Sequence, residues 1–294
     1  MAFGCHVNRD YIRGGGRPSI VAQIEAAAAE AARDSDFTLR AAAIFVGGPR
    51  SREITLTAAE QAELKAYAER TGVRLIAHNV YNAPPWQGDP DAARFVREEA
   101  AVCGRSGIAG LVVHLPKLPV ASVLKYIGRL TSAESGNTRI YLETPAVTPK
   151  ETYYETPQKL ATLFRQIKAA SLPSANFGLC VDTAHLWTCG VDLQSYESAD
   201  AWLKGLGTVA DVIPPDHVMF HLNDSAKARG VGPDAHAALA SGQIWRDYAE
   251  NMQDSGLQAF VDYARRHDST VILERKPHSL LAGDYRVLKE LGAS

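Results

Sequence analysis

Cysteine is scarce in this sequence and irregularly spaced. The four cysteines form no Cys-x-x-Cys pair, which favours a reduced, intracellular protein. No apolar stretch near the N-terminus resembles a signal peptide, and no apolar run reaches the length that spans a bilayer. We therefore expect a soluble protein of the cytoplasm, nucleoid or nucleus that is not secreted.

An excess of charge of either sign is also missing. The formal net charge is -2 with the nine histidines neutral, which argues against a protein that binds nucleic acid through a broad positive surface. DNA stays open as a substrate, because multivalent metal ions change the local charge that a phosphate group meets. The hydrophobic content of 46% and charged content of 22% are ordinary for a soluble globular protein.

Short apolar, β-rich runs alternate with longer helical patterns along the whole chain, as is typical of βαβ units around a parallel sheet. The predicted strands are residues 3–7, 39–46, 73–78, 110–114, 139–143, 177–182, a run ending at 221, and 270–274. The predicted helices follow caps at Ser19, Thr57, Asp89 and Thr156, and cover 120–131, 199–206, 245–267 and a segment ending near 291. Eight strands without a linker predict a single-domain (β/α)8 TIM barrel of the α/β class over residues 1–294.

An open, doubly wound sheet is the rival architecture. A G-x-G-x-x-G dinucleotide fingerprint would favour it. The glycines at 14–16 lack that spacing and do not directly open the following helix, so the barrel is preferred.

Six consecutive predicted strands end in an imidazole or a carboxylate. These residues are His78, His114, Glu143, Asp182, His221 and Glu274. In a barrel such strand ends converge on one rim, where the active site is built. A single such residue is as often a satisfied histidine or a loop cap, but six together are improbable by chance. Crowded carboxylates repel one another unless cations lie between them, and six ligands exceed what one tetrahedral zinc takes.

A further group of candidate ligands lies close to these strand ends in the sequence. His185 follows Asp182 by three residues, and Asp234 and His236 form an Asp-x-His pair that can chelate one ion. The sequence therefore predicts a multinuclear zinc site.

Several segments resemble the signature segments of the endonuclease IV family of abasic-site (AP) endonucleases. They are Gly4-Cys5-His6-Val7, His78-Asn79-Val80-Tyr81, Leu142-Glu143-Thr144, Asp182-Thr183-Ala184-His185, His221-Leu222-Asn223-Asp224-Ser225 and Asp234-Ala235-His236. The resemblance covers nearly the whole chain. It implies a DNA-repair nuclease that hydrolyses the phosphodiester 5′ to an abasic site with a zinc-bound hydroxide, leaving 3′-hydroxyl and 5′-deoxyribose phosphate ends.

The resemblance also implies three zinc ions per chain, with manganese able to replace zinc at some sites. His78, His114 and Glu143 would hold the first ion. Glu143 would bridge to the second, completed by Asp182, His221 and Glu274, and the third would lie on His185, Asp234 and His236. Glu143 and Glu274 are the expected catalytic residues. Ser225 is expected to be a loop cap and not a nucleophile.

Four segments depart from the family pattern without changing an implied ligand. Ala184 replaces a cysteine, 187–190 replace an aromatic-Ala-Ala-Gly run, and 237–242 replace a more glycine-rich loop. Arg275-Lys276-Pro277 follows Glu274, where the family usually has a threonine. These changes bear on DNA contacts and on rate.

The implied partner is double-stranded DNA containing abasic sites, bound by a monomer. Family members push an aromatic side chain and an arginine into the duplex at the abasic gap, where unstacking is cheap. Tyr81 matches the aromatic position, and Arg50 or Arg52 could supply the guanidinium. Asn82 stands where the family prefers a larger apolar residue.

Two other functions compete with the nuclease. A metal-dependent sugar isomerase or epimerase of the xylose-isomerase-like barrel type also has carboxylates and histidines at strand ends, but it needs one or two metals and not the group of His185, Asp234 and His236. A DNA-damage binding protein that had lost catalysis would lack a ligand, and none of the nine is missing.

Overall fold

Eight parallel strands form the centre of the protein. The computed structural model describes residues 1–9, 11, 18–48, 50–81, 83–131, 138–146, 153–170 and 176–293. The barrel strands are β1 (Ala2–His6), β2 (Ala41–Ile44), β3 (Arg74–His78), β4 (Gly110–His114), β5 (Arg139–Glu143), β6 (Phe177–Asp182), β7 (Val218–His221) and β10 (Thr270–Leu273). They close in the order β1-β10-β7-β6-β5-β4-β3-β2, so the predicted (β/α)8 barrel is confirmed. Two short strands, β8 (Asp224–Ser225) and β9 (His236–Ala237), pair antiparallel in a hairpin between β7 and β10.

Helices connect the barrel strands. They are α1 (Ile20–Ser35), α2 (Ala58–Thr71), α3 (Pro90–Arg105), α4 (Val120–Ile127), α5 (Pro157–Ala169), α6 (Thr183–Thr188), α7 (Tyr196–Gly207), α8 (Gly256–His267) and α9 (Leu281–Glu290). The caps predicted at Ser19, Thr57, Asp89 and Thr156 all accept a hydrogen bond from the first turn of their helix, and Thr57 forms the full capping box with Glu60. No helix in the described ranges is long and apolar enough to cross a membrane.

Alternation along the strands divides the core into two layers. Ala41 and Ala43 of β2 belong to the cluster inside the barrel, whereas Ala42 and Ile44 pack in the layer between strands and helices. The ring of Tyr141 fills the barrel interior beside Gly110. A Cβ atom at Gly110 would lie 2.4 Å from that ring, so only glycine fits there.

Besides shifts of a few residues at the ends of elements, three parts of the secondary structure differ from prediction. Residues 245–255 form two 3-10 turns instead of a helix, and α8 begins only at Gly256, after its cap Ser255. Gly256 packs against the backbone of Leu193, where a Cβ would lie 2.0 Å from the carbonyl oxygen. The short helix α6 and the hairpin were not predicted. The glycine loop at 14–16 and Asn82 lie outside the described residues.

Candidate metal centre

Glu143 lies at the centre of the rim formed by the C-terminal strand ends. Its Oε2 atom is 2.9 Å from Nε2 of His114 and 3.3 Å from Nε2 of His78. Its Oε1 atom is 2.9 Å from Nδ1 of His221 and 3.6 Å from Nδ1 of His185. The two carboxylate oxygens therefore face two different sets of imidazoles. We call His78, His114 and Glu143 the first ligand group.

The second ligand group consists of Asp182, His221 and Glu274, together with Glu143. One ligand atom from each of these four side chains lies within 4.8 Å of the others. The Nδ1 atom of His221 is 3.6 Å from Oε2 of Glu274. All four side chains are buried apart from a small exposed part of Glu274.

The third ligand group consists of His185, Asp234 and His236. Oδ2 of Asp234 is 2.9 Å from Nε2 of His236 and 3.7 Å from Nε2 of His185. Nε2 of His236 also lies 3.6 Å from Oδ2 of Asp182, which connects this group to the second. All nine side chains predicted from the sequence are thus brought together at one rim.

Local structure explains the Asp-x-x-His spacing of residues 182 and 185. Asp182 ends β6 and caps α6, because its Oδ1 atom accepts a hydrogen bond of 2.9 Å from the backbone amide of His185. One turn of helix then places the imidazole of His185 beside the carboxylate that caps it. The spacing follows from the strand-to-helix turn.

The hairpin β8–β9 places His236 at the rim. Buried Asp224 stabilises the hairpin, since its carboxylate accepts hydrogen bonds from the backbone amides of Ser225, Gly242 and Ile244 at 2.7, 3.1 and 2.9 Å. A Cβ atom at Gly242 would lie 2.4 Å from the Asp224 carboxylate, so this loop position requires glycine.

The orientation of two histidines suits metal binding. Nδ1 of His78 lies 2.7 Å from the carbonyl oxygen of Asn79, and Nδ1 of His185 lies 2.7 Å from that of Thr144. A carbonyl oxygen only accepts, so each Nδ1 carries the proton in the neutral ring and each Nε2 presents a lone pair to the carboxylates. Oε2 of Glu143 is buried and accepts no hydrogen bond from the described residues. Ring nitrogens and carboxylate oxygens about 3 Å apart are spaced like neighbouring ligands of one cation with bonds of about 2 Å, so the residues suit divalent metal.

The electrostatics agree with this interpretation. Burial alone would raise the pKa of Glu274, but His221 and His236 lower it to about 2. Burial lowers the pKa of His185, yet the surrounding carboxylates, Asp182 foremost, raise it to about 10. Protons on the imidazoles and metal cations are alternative ways to neutralise these carboxylates, so metal binding would release protons.

Two polar residues at this rim were not assigned a role from the sequence. Asn223 lies between ligands of the second and third groups, and its amide nitrogen is 2.7 Å from Oδ2 of Asp182. His6 ends β1 and is 7% exposed, with Nδ1 3.9 Å from Oε1 of Glu274. The sequence pattern extended this strand to Val7, one residue beyond its end in the structure, so the strand-end rule missed His6.

The candidate DNA contacts differ in their surroundings. Tyr81 is 55% exposed, and its ring centre lies 5.6 Å from that of His78 and 6.1 Å from that of His114. Arg50 is exposed and lies within electrostatic range of the Tyr81 hydroxyl. Arg52 donates a hydrogen bond of 2.6 Å to Asp89, the cap of α3. Tyr81 and Arg50 therefore stand at the rim, whereas Arg52 is engaged by a helix cap.

A cleft of about 780 Å³ opens beside the ligand groups. Its lining includes His6, Phe45, Tyr81, His236 and Glu274, so aromatic and ionic side chains both face it. A substrate in this cleft would contact aromatic side chains together with His236 and Glu274.

The sequence model of the xylose isomerase-like TIM barrel family matches residues 29–291. The chain belongs to this family. A protein of African swine fever virus described as a probable AP endonuclease is 35% identical over 263 residues, which cover 87% of this chain and 88% of that protein. The predicted resemblance to the endonuclease IV family is thereby confirmed.

Two solved structures extend the comparison. The structure described as AsfvAP:AG is 32% identical, with a TM-score of 0.92 over 99% of this chain and 98% of that chain. Endonuclease IV from Thermus thermophilus is 22% identical and has a TM-score of 0.73, covering 100% of this chain and 99% of that chain. The second likeness is one of fold.

Proposed function

We propose that this chain, as one domain, hydrolyses the phosphodiester 5′ to an abasic site in double-stranded DNA and leaves 3′-hydroxyl and 5′-deoxyribose phosphate ends. The enzyme is a nuclease of the AP endonuclease class, in keeping with the relatives that it matches over most of its length. The observation that supports the proposed reaction, with its cut 5′ to the abasic site, is the convergence of nine candidate ligand side chains at one rim, including the third ligand group.

Three zinc ions are the proposed cofactors, one for each ligand group. When bound, zinc supplies a Lewis acid and a nucleophile that works at neutral pH. The two oxygens of Glu143 face separate imidazole sets, which is the arrangement that a carboxylate shared by two groups needs. Glu143 and Glu274 are the proposed catalytic carboxylates, since they hold the anionic charge at the centre of the rim.

Ser225 is not a nucleophile in this proposal. The side chain is fully buried in β8, and its hydroxyl accepts a hydrogen bond of 3.1 Å from the backbone amide of Lys227. This is the geometry of a loop cap, as the sequence predicts.

Duplex DNA is the proposed partner, and we propose that the chain binds it as a monomer. An abasic gap costs little to open, and Tyr81 and Arg50 are the side chains best placed to enter it. Tyr81 is the more strongly supported of the two, because its exposed ring lies directly beside imidazoles of the first ligand group.

The two competing functions are less well supported. A sugar isomerase would use the first two ligand groups and leave the third without a role. A damage-binding protein would be expected to have lost a ligand, and the described residues include all nine.

Incision of a duplex that contains one tetrahydrofuran abasic analogue tests the proposal. The analogue cannot undergo β-elimination, so cleavage must be hydrolytic. We expect a single cut 5′ to the lesion with an extendable 3′-hydroxyl, and no cut in the matched duplex without a lesion. Tight binding without a cut by metal-replete protein would favour the damage-binding function, and neither binding nor a cut would favour the isomerase.

Metal analysis of the same preparation tests the ligand groups separately. We expect three zinc ions per chain after dialysis. A single tightly held ion would contradict the three-zinc proposal even if the duplex were cut.

A further inference from the structure

Asn223 contacts ligands from three separate segments of the chain. Its Nδ2 atom donates a hydrogen bond of 2.7 Å to Asp182 and one of 3.3 Å to Glu274, and it lies 3.5 Å from Nε2 of His236. Asp182 ends β6, Glu274 follows β10, and His236 belongs to the hairpin. One amide group therefore lies between the second and third ligand groups.

The orientation of this amide is fixed from its other side. Oδ1 of Asn223 accepts hydrogen bonds from the backbone amide of Glu274 at 3.1 Å and from Nη1 of Arg275 at 2.6 Å. Both partners can only donate, so the oxygen must face them and the nitrogen must face the ligands. A flipped amide would place donors against donors and break the contacts with Asp182 and Glu274.

Arg275 is buried, with an exposed fraction of 5%. Besides Asn223, its guanidinium donates to the carbonyl oxygens of Glu274 at 2.9 Å and Leu222 at 3.3 Å. Its Nε atom donates to the fully buried carboxylate of Asp284 in α9, which neutralises the charge. A rigid fork of donors is required here, and lysine could not reproduce it.

Asp284 extends the network to the hairpin loop. Its Oδ1 atom accepts a hydrogen bond of 2.7 Å from the backbone amide of Leu239, two residues beyond β9. The buried ion pair is thus connected to the segment after β7, the segment after β10 and the loop that follows His236. The described contacts of Arg275 and Asp284 include neither His78 nor His114.

We propose that Arg275 and Asp284 are positioning residues that set the placement of the second and third ligand groups through Asn223. The proposal rests on the proposed function, because it assigns these groups to metal. Loss of hydrogen bonds that orient metal ligands in this way commonly lowers metal affinity by roughly 10- to 100-fold. Metal on these two groups should therefore be released faster when the network is broken, whereas metal on the first group should not.

The test is the rate and stoichiometry of metal release to a chelator, measured on full-length protein loaded with zinc. Arg275→Lys keeps the charge next to Asp284 but cannot also reach Asn223. The double variant Arg275→Met with Asp284→Leu removes both charges, so that no unpaired charge stays buried. We expect at least roughly tenfold faster release of part of the zinc in both variants, with the rest released as in wild type. Arg74→Met is the matched control, since Arg74 pairs with exposed Asp268 before the start of β10 and contacts none of the ligands.

A comparison with Asn223→Ala distinguishes a positioning role of Arg275 from a purely structural one. In an Asn223→Ala background, Arg275→Lys should cause no further increase in metal release, because both act through the same amide. Cobalt-loaded Arg275→Lys should also show an altered visible absorption spectrum, which a mere loss of stability would not produce.

The outcomes distinguish the two proposals. Folded variants that release metal at the wild-type rate, or that act additively with Asn223→Ala, would overturn positioning while leaving the nuclease in place. Wild-type protein that takes up no metal would overturn the proposed function and the positioning role together.

Discussion

The Oε2 atom of Glu143 lies 2.9 Å from Nε2 of His114, and the contact is not a hydrogen bond. A buried carboxylate at this distance from a ring nitrogen normally receives a proton from it. Here a second imidazole, His78, approaches the same oxygen at 3.3 Å. A cation shared by the three side chains, as proposed, would account for both approaches.

Removing metal should make stability depend on pH. The pKa of His185 is raised to about 10 in the folded protein, against about 6.5 in the unfolded chain. The stabilisation that the protonated ring gives the folded state is therefore fully present below about pH 6.5 and is lost as the pH rises through about 10. The pKa of Glu274 is lowered to about 2, so its carboxylate stabilises the folded state fully above about pH 4.5. This stabilisation is lost as the pH falls through about 2. After chelation, Tm should be highest between these ranges and should fall towards pH 9. Zinc-loaded protein should not show this fall, and parallel curves for the two samples would contradict the prediction.

Replacing one member of the third ligand group should reduce activity strongly and remove one metal. For His236→Asn we expect kcat to fall at least roughly 100-fold, since a metal ion supplies several kcal/mol of transition-state charge stabilisation. Steady-state incision and elemental analysis measure the two effects. His267→Asn, at the end of α8, is the matched control and should change neither. Full activity with two ions per chain would show that the third group is dispensable.

Tyr81→Ala should weaken binding to abasic DNA while leaving metal content unchanged. The exposed ring is proposed to stack at the gap, and one lost stack costs about 1–3 kcal/mol, which is roughly a 5- to 150-fold increase in Kd. Tyr81→Phe should retain most of the affinity. Anisotropy titrations at one fixed salt concentration, with abasic and intact duplexes, measure the difference. Equal losses on both duplexes would argue against a role at the gap.

Glu99→Gln should stabilise the protein at alkaline pH. Glu99 is buried in α3 and accepts a hydrogen bond from Asn79, yet burial raises its pKa to about 8. The folded state therefore keeps a proton that the unfolded state releases above about pH 4.5, so wild-type stability falls by about 1.4 kcal/mol per pH unit up to about pH 8. Glutamine has no proton to lose. Denaturant unfolding at pH 5 and pH 8 should show the advantage of the variant only at the higher pH.

Local patterns predicted the barrel and the first two ligand groups. Apolar runs alternated with capped helices, and the geometry of a barrel placed residues such as His78, Glu143 and Asp182 on one rim without further information. The assignment of these residues to individual ions stays a prediction. His6 also ends its strand in the structure, but the apolar run continues to Val7 and concealed it.

Other features depended on contacts between distant segments. Asn223 and Arg275 are 52 residues apart in the sequence, and nothing near either residue indicates that they meet. The departure from the family pattern at Arg275 is explained only when buried Asp284 is seen beside it. The helical pattern of residues 245–267 revealed neither the 3-10 turns before α8 nor the close approach of Gly256 to Leu193.

The hairpin β8–β9 lies outside the barrel sheet, and the side chains of Asp234 and His236 are 23% and 22% exposed, against 1% for Glu143 and His221. An ion held there would take two of its three side chains from the hairpin segment, and would depend less on the barrel strands than an ion held by Glu143 and His221. If each ligand group holds one zinc ion as proposed, a shortage of zinc would first empty this group and inactivate the enzyme. The amount of folded protein would stay unchanged. The supply of metal and the supply of protein would then be independent controls on repair.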